Sequence, residues 1–169
     1  MVLTKSELIA ALQNEVRILL HLASKIDRAQ LDYRPTPKQR STMELLKYLS
    51  VMGPHMVEGV GTGFDQEKWK AAAAAADERD FDQTLEAIAA HSDRYAALLT
   101  AMSDEDLRTP FDGFDGKKTT RGAFIVNLVL CGCAAYRTQL FLYLKACGHD
   151  ELGTANLWGG VDAPAAPGS

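Results

Sequence analysis

From Thr119 to Gly148 the sequence reads TTRGAFIVNLVLCGCAAYRTQLFLYLKACG, and this stretch decides the fold. It predicts a helix that begins near Thr119 or Thr120 and ends at Gly148, since glycine commonly stops a helix. Between Phe124 and Tyr136 the stretch is apolar on nearly every side, apart from one asparagine. We expect such a helix to be buried on most sides, by its own bundle and by a second subunit.

Three other stretches carry apolar residues three and four positions apart, the spacing of an amphipathic helix. Capping boxes, in which a short polar residue precedes Glu or Gln by three positions, predict starts at Thr4, Ser41 and Asp80. The three apolar stripes are Leu8, Leu12, Val16, Leu19, Ala23 and Ile26; Leu45, Leu46, Leu49, Met52, Met56 and Val57; and Phe81, Leu85, Ile88, Ser92, Tyr95, Leu99 and Met102. Pro54 should kink the second helix or end its first half. Together the four helices predict an all-α, up-down four-helix bundle with a long crossover.

Turn-forming residues predict the connections. Pro35 and Pro37 oppose helix and indicate an ordered crossing loop before the second helix. Trp69 and the six alanines that begin at residue 71 suggest a short helical connection. The segment FDGFDGKK at 111–118 predicts a small hairpin or an Ω-type loop.

Composition excludes several classes of function. The chain has 169 residues, 47% hydrophobic and 24% charged, which fits one domain at 1–161 and a flexible tail at 162–169. A formal net charge of −4 opposes nucleic-acid binding, which needs a basic surface. No unbroken apolar run reaches the ~18 residues of a membrane span, and the N-terminus lacks the pattern of a signal peptide. We therefore expect a cytoplasmic protein that contacts no membrane.

The chain has three cysteines. Cys131, Cys133 and Cys147 are expected to pack as buried apolar residues.

Two motifs resemble a known family. The run RPTPKQRSTMELLKYL, from Arg34 to Leu49, resembles the start of the second helix of the DinB/YfiT-like bundles. The run AYRTQLFLYLKACG, from Ala135 to Gly148, resembles that family's fourth-helix pattern His-Arg-Gly-Gln, followed by apolar residues and Gly. The resemblance spans the whole chain in helix order and length. It implies a DinB superfamily bundle, whose typical members hold a divalent metal, commonly zinc or nickel, on three histidines.

The resemblance also implies which positions would hold the metal, and all three differ in this chain. The family histidine that follows Glu-Leu-Leu by two residues corresponds to Tyr48, and the pair on the last helix corresponds to Gly132 and Tyr136. Arg137 and Gln139 of the family pattern are kept. Glycine has no ligand atom, and a phenol with a pKa near 10 binds a divalent cation poorly at neutral pH. We therefore expect a degenerate metal site with no metal and no cofactor.

The altered positions predict a candidate pocket, with catalytic residues unknown. Its expected members are Tyr48, Gly132, Tyr136, Arg137, Gln139, Glu44 and His55. His55 is included because it follows Tyr48 by seven residues and Pro54 could turn it inward. In one interpretation the tyrosine hydroxyls and Arg137 orient a small, anionic ligand. In the other, the tyrosines fill the former metal chamber and Arg137 makes a structural salt bridge.

Two functions stay open at this point. The first is a small-ligand-binding or structural module, a homodimer through the outer faces of its longest helices. The second is a transferase or hydrolase that depends on zinc or nickel, held by non-standard ligands, and acts on small thiol-type substrates, as the resemblance implies.

Overall fold

Long helices pack side by side in a computed structural model of the chain, which describes residues 3–114 and 116–164. Short helices and a two-stranded hairpin connect them. In chain order the elements are α1 (Lys5–Ala23), α2 (Thr42–Thr62), α3 (Gln66–Asp77), α4 (Phe81–Ala89), α5 (His91–Thr100), α6 (Asp104–Arg108), β1 (Pro110–Asp112), β2 (Lys118–Thr120) and α7 (Arg121–Ala146). Single turns follow α1 at Arg28–Gln30 and α7 at Ala155–Gly159.

The predicted helix starts are confirmed. Thr4, Ser41 and Asp80 each accept a hydrogen bond from the backbone N–H three residues later, which completes a capping box before α1, α2 and α4. Thr120 caps α7, and beyond its last turn Gly148 takes a left-handed φ of 98°. The third predicted helix is divided into α4 and α5. The all-α bundle is confirmed, with the predicted hairpin formed by β1 and β2.

Pro54 lies inside α2 without ending it. Because proline has no N–H, the carbonyl of Ser50, four residues earlier, loses its helical partner. His91 on α5 replaces that partner, with its Nε2 2.9 Å from the Ser50 oxygen. A carbonyl only accepts, so Nε2 must carry the proton that it donates. Burial lowers the pKa of His91 to about 4, so the ring is neutral at pH 7.

A close approach between α2 and α5 depends on Gly53. A Cβ at Gly53 would lie 1.7 Å from the hydroxyl oxygen of Tyr95, whose side chain is only 1% exposed. The absence of a side chain at this position therefore makes room for a fully buried ring. The Tyr95 hydroxyl lies 3.9 Å from the sulfur of Cys133 on α7, so three helices meet here.

The outer side of α7 departs from the sequence expectations. Its most apolar 18-residue window has a mean hydropathy of 1.4, and only 22% of that window is buried. By length and composition alone this helix could cross a membrane, although no unbroken apolar run in it reaches 18 residues, because the mean hydropathy averages over the polar residues that interrupt the run. Burial on most sides is also not observed within one chain, since Cys131, Ala135 and Leu142 are exposed. The prediction that Cys131 is buried is wrong.

Six residues of α7, Ile125–Leu130, follow the wider π-helical turn. Such segments are rare and often occur beside functional sites. Asn127 and Leu128, within it, border the groove described below. Of the tail predicted to be flexible, residues 165–169 lie outside the described part of the chain.

Candidate functional site

A groove of about 460 Å³ lies between α2 and α7, and we call it the tyrosine groove. Helix α2 contributes one tyrosine and two methionines, and α7 contributes small and apolar side chains with a second tyrosine. The lining residues are Tyr48, Met52, Met56, Phe114, Asn127, Leu128, Cys131, Gly132, Ala135 and Tyr136. The walls are therefore mostly apolar, with two phenol groups at one end.

The structure brings Tyr48, Gly132 and Tyr136 together on this groove. The two tyrosine rings meet edge to face, with centroids 5.3 Å apart and planes inclined by 66°. Gly132 lies one helical turn before Tyr136, and a Cβ there would lie 3.6 Å from Cε of Met52. That is an ordinary van der Waals distance, so a side chain at position 132 would fit against the groove wall.

The phenol of Tyr48 is held in its protonated form. Burial, together with the neighbouring Tyr136 hydroxyl, raises the pKa of Tyr48 to about 12. The guanidinium of Arg40 lies 4.0 Å from the centroid of the Tyr48 ring, in cation–π geometry, and opposes this shift only in part. Sequence reasoning missed Arg40, because it lies in the loop before α2, where helical spacing assigns no face.

This donor set does not fit a divalent metal. A phenol that stays protonated has no charge to offer a cation, and Gly132 has no donor atom. Across residues 3–114 and 116–164, no three or more His, Cys, Asp or Glu side chains are grouped so that they could hold a metal ion.

Arg137 does not reach the tyrosine groove. Its Nε lies 2.8 Å from Oε2 of Glu15 on α1, and the two side chains are only 5% and 11% exposed. It also donates to the carbonyl of Leu157 and lies 5.4 Å from the ring centroid of Trp158. Residue 137 is turned by about 100° from Tyr136 around the helix axis, which places it on another face. Arg137 therefore lies outside the lining of the tyrosine groove, where it was expected, and it forms a structural salt bridge, as in the second interpretation.

Gln139 and Glu44 also lie outside the groove lining. Gln139 donates through Nε2 to the hydroxyl of Tyr143, 2.5 Å away, and that hydroxyl donates to the carbonyl of Arg40. Glu44 accepts from the N–H of Ser41 as part of the cap of α2. Both side chains therefore stabilise local structure, and their expected place in the pocket is not observed.

His55 lines a separate cavity of about 400 Å³, which we call the aromatic pocket. The cavity lies between the second half of α2, the first turn of α3 and the hairpin loop. Its lining residues are His55, Met56, Glu58, Gly59, Thr62, Gly63, Phe64, Asp65, Gln66, Lys68, Trp69 and Phe114. The ring of Trp69 stands between the two cavities, with centroids 6.2 Å from Tyr48 and 5.9 Å from His55.

Sequence reasoning placed His55 with the tyrosines because seven residues nearly complete two helical turns. It missed Trp69 and Phe64, which close the aromatic pocket from outside α2. The available signal was the pair of aromatic residues, Phe64 and Trp69, that follows the GTG break at 61–63.

Comparisons with known proteins agree with this architecture. The sequence model of the DinB superfamily matches residues 11–129. Among solved structures, the DinB-like protein YjoA from Bacillus subtilis resembles this chain with a TM-score of 0.65 and 19% sequence identity. The match covers 86% of this chain and 94% of that one, and at this identity it bears on the fold alone. A search of curated proteins found no match. Since the family match spans well over half of its length, the chain belongs to the DinB superfamily.

Proposed function

We propose that this protein is a DinB superfamily member that works without the family's metal, binding a small molecule in the tyrosine groove as a homodimer. One observation carries the proposal. Tyr48, Gly132 and Tyr136, which the family resemblance aligns with three metal-binding histidines, lie together on one groove that holds no imidazole.

The groove favours a small, largely apolar ligand with one polar group. Met52 and Met56 supply flexible thioether walls that adapt to irregular shapes. The hydroxyls of Tyr48 and Tyr136 can donate or accept one hydrogen bond each at the same end. No Arg or Lys is among the lining residues, Arg137 is paired with Glu15, and the Arg40 guanidinium above the Tyr48 ring is exposed to solvent, so the groove has no buried cation to select an anionic ligand.

A metal-dependent transferase or hydrolase is the alternative, and it requires ligands from elsewhere in the chain. The described residues offer no suitable cluster of His, Cys, Asp or Glu. The donor chemistry therefore favours the metal-free function.

The exposed face of α7 supports the proposed homodimer. Residues at alternating intervals of three and four form one stripe on a helix, the pattern of paired helices. The stripe consists of Leu128, Cys131, Ala135, Thr138 and Leu142, and the last is 58% exposed. Its middle members are small, which allows two helices to approach closely. A second copy seated on this stripe would also cover the open side of the tyrosine groove, because three stripe residues line it.

Sedimentation equilibrium tests the dimer. The wild-type protein should sediment as a dimer at micromolar concentrations, and Leu142→Glu should sediment as a monomer because it places a charge in the paired face. Val161→Glu is the matched control, since Val161 is 52% exposed and lies outside α7. A monomeric wild type, or an unaffected Leu142→Glu variant, would refute the dimer.

Introducing histidines at positions 48, 132 and 136 tests whether these three positions surround one site. The variant Tyr48→His/Gly132→His/Tyr136→His should bind zinc with a stoichiometry of one, because the groove places the three positions around one space. The double variant that keeps Gly132 is the control and should bind zinc much more weakly, having only two imidazoles. Equal zinc affinity of both variants would show that the three positions do not converge.

A further inference from the structure

The aromatic pocket is a second cavity, beside the tyrosine groove but built mostly from different side chains. At about 400 Å³ it lies within the size range of small-molecule sites. It shares only Met56 and Phe114 with the tyrosine groove. The two cavities therefore differ in most of the side chains that a ligand would contact.

Aromatic rings form much of its wall, and the backbone is shaped to hold them. Phe64 packs directly on α2 because residue 59 is glycine: a Cβ there would lie 2.3 Å from Cδ1 of Phe64. The Phe64 and Phe114 ring centroids are 4.9 Å apart, and Trp69 meets the His55 ring edge to face. Such walls favour a flat aromatic guest, which can meet each ring in an offset or edge-on arrangement.

The charged side chains that line the pocket already have partners within the chain. The Glu58 carboxylate forms ion pairs with Lys68 and with Arg94, the latter at 3.0 Å. Oδ1 of Asp65 accepts two backbone N–H bonds at the start of α3, each 3.0 Å long. A charged ligand would lose its hydration here without gaining a free counter-ion, so a neutral ligand is favoured.

His55 leaves one polar atom for a ligand. Its Nδ1 lies 3.0 Å from the carbonyl of Val51, so Nδ1 must donate, and the neutral ring then carries a lone pair on Nε2. Burial lowers the pKa of His55 below its usual value, which keeps that lone pair free at pH 7. Within the described part of the chain, Nε2 has no hydrogen-bond partner.

We propose that the aromatic pocket binds a neutral, planar aromatic compound that donates one N–H or O–H hydrogen bond to Nε2 of His55. Indoles and phenols have this chemistry. The site is additional to the tyrosine groove, and it stands whether or not that groove binds a ligand.

The test uses indole and 1-methylindole, two probes that share a ring system but differ in the N–H. The chain has two tryptophans, and each contributes one indole N–H signal to a ¹H–¹⁵N correlation spectrum. Trp69 lines the pocket, whereas Trp158 is 67% exposed and packs near Arg137, so it serves as an internal reference. Indole should shift the Trp69 signal saturably and leave Trp158 in place. It should bind about fivefold more tightly than 1-methylindole, the worth of one hydrogen bond.

A matched pair of variants locates the acceptor. His55→Phe keeps a ring beside Trp69 but removes Nε2, so it should bind both probes with the same affinity. His149→Phe, changed beyond the end of α7, should keep the wild-type preference for indole. Equal binding of the two probes to the wild type would overturn the proposal even if His55→Phe failed to fold. So would no saturable shift of Trp69, or equal shifts of both tryptophans. None of these readouts depends on metal content or on dimer formation, so this proposal and the proposed function can fail separately.

Discussion

Lowering the pH should reduce the free energy of unfolding, and we expect the buried His91 to account for much of the reduction. His91 replaces the N–H that Pro54 cannot offer to the carbonyl of Ser50, and it does so as a neutral ring. Protonation would place a positive charge in a desolvated site that has no carboxylate among the groups acting on it: the other ionisable side chains there are Arg94, His55 and Arg79.

The magnitude follows from the two pKa values. His91 has a pKa of about 4 in the folded chain, against an ordinary value of 6.5. Between these values the unfolded chain binds more protons than the folded one, so the free energy of unfolding rises with pH. The contribution of the neutral His91 ring to the free energy of unfolding is fully present above pH 6.5 and is lost as the pH falls toward 4. Relative to pH 7, the loss is about 2 kcal/mol at pH 5 and about 3 kcal/mol at pH 4.

Urea denaturation at pH 7, 6, 5 and 4 measures this loss. His91→Gln keeps an N–H donor near the Ser50 carbonyl but does not titrate. Between pH 7 and pH 5, the free energy of unfolding of this variant should therefore fall by about 2 kcal/mol less than that of the wild type. The control His149→Gln, which changes a histidine beyond the end of α7, should follow the wild-type profile. Parallel profiles for wild type and His91→Gln would refute the assignment of this pH dependence to His91.

Three further predictions concern the bundle interior and are measured by urea or thermal denaturation. Gly53→Ala should lower the free energy of unfolding by about 2 kcal/mol, because overpacking against Tyr95 exceeds the gain in helix propensity. The cost should shrink in a Tyr95→Phe background, where the nearest atom is gone; an equal cost in both backgrounds would contradict it. Tyr136→Ala, which empties part of the groove wall, should lower Tm by about 4–8 °C, and an unchanged Tm would show that the ring fills no space. Arg137→Met should cost about 3 kcal/mol by leaving Glu15 buried without its partner, and adding Glu15→Leu should recover most of that loss. No recovery in the double variant would mean that Arg137 acts through other contacts.

Much of the fold is predictable because its signals are local. The cap at Ser41 and the glycine at 148 fix helix ends within a few residues, and FDGFDGKK gives the hairpin. Helical spacing alone does not predict that Tyr48 and Tyr136 lie next to each other. That prediction came from the resemblance to a family whose helices follow in the same order.

The remaining features depend on long-range packing that spacing does not encode. Arg137 follows Tyr136 directly, yet it faces α1, because adjacent residues on a helix point in directions about 100° apart. Trp69 closes the aromatic pocket only because α3 folds back against α2, and no short-range pattern predicts that contact. The hydrogen bond from His91 to the Ser50 carbonyl could not be predicted from the sequence, because it depends on the packing of α5 against α2 beside Pro54.

The metal content of the wild-type protein, purified without an affinity tag and measured by mass spectrometry of the elements, tests the central claim most directly. With phenols and a glycine in place of imidazoles, the chain should carry less than about 0.1 zinc or nickel per molecule, and a chelator should not change its Tm. Close to one metal ion per chain, with a fall in Tm on chelation, would contradict the claim.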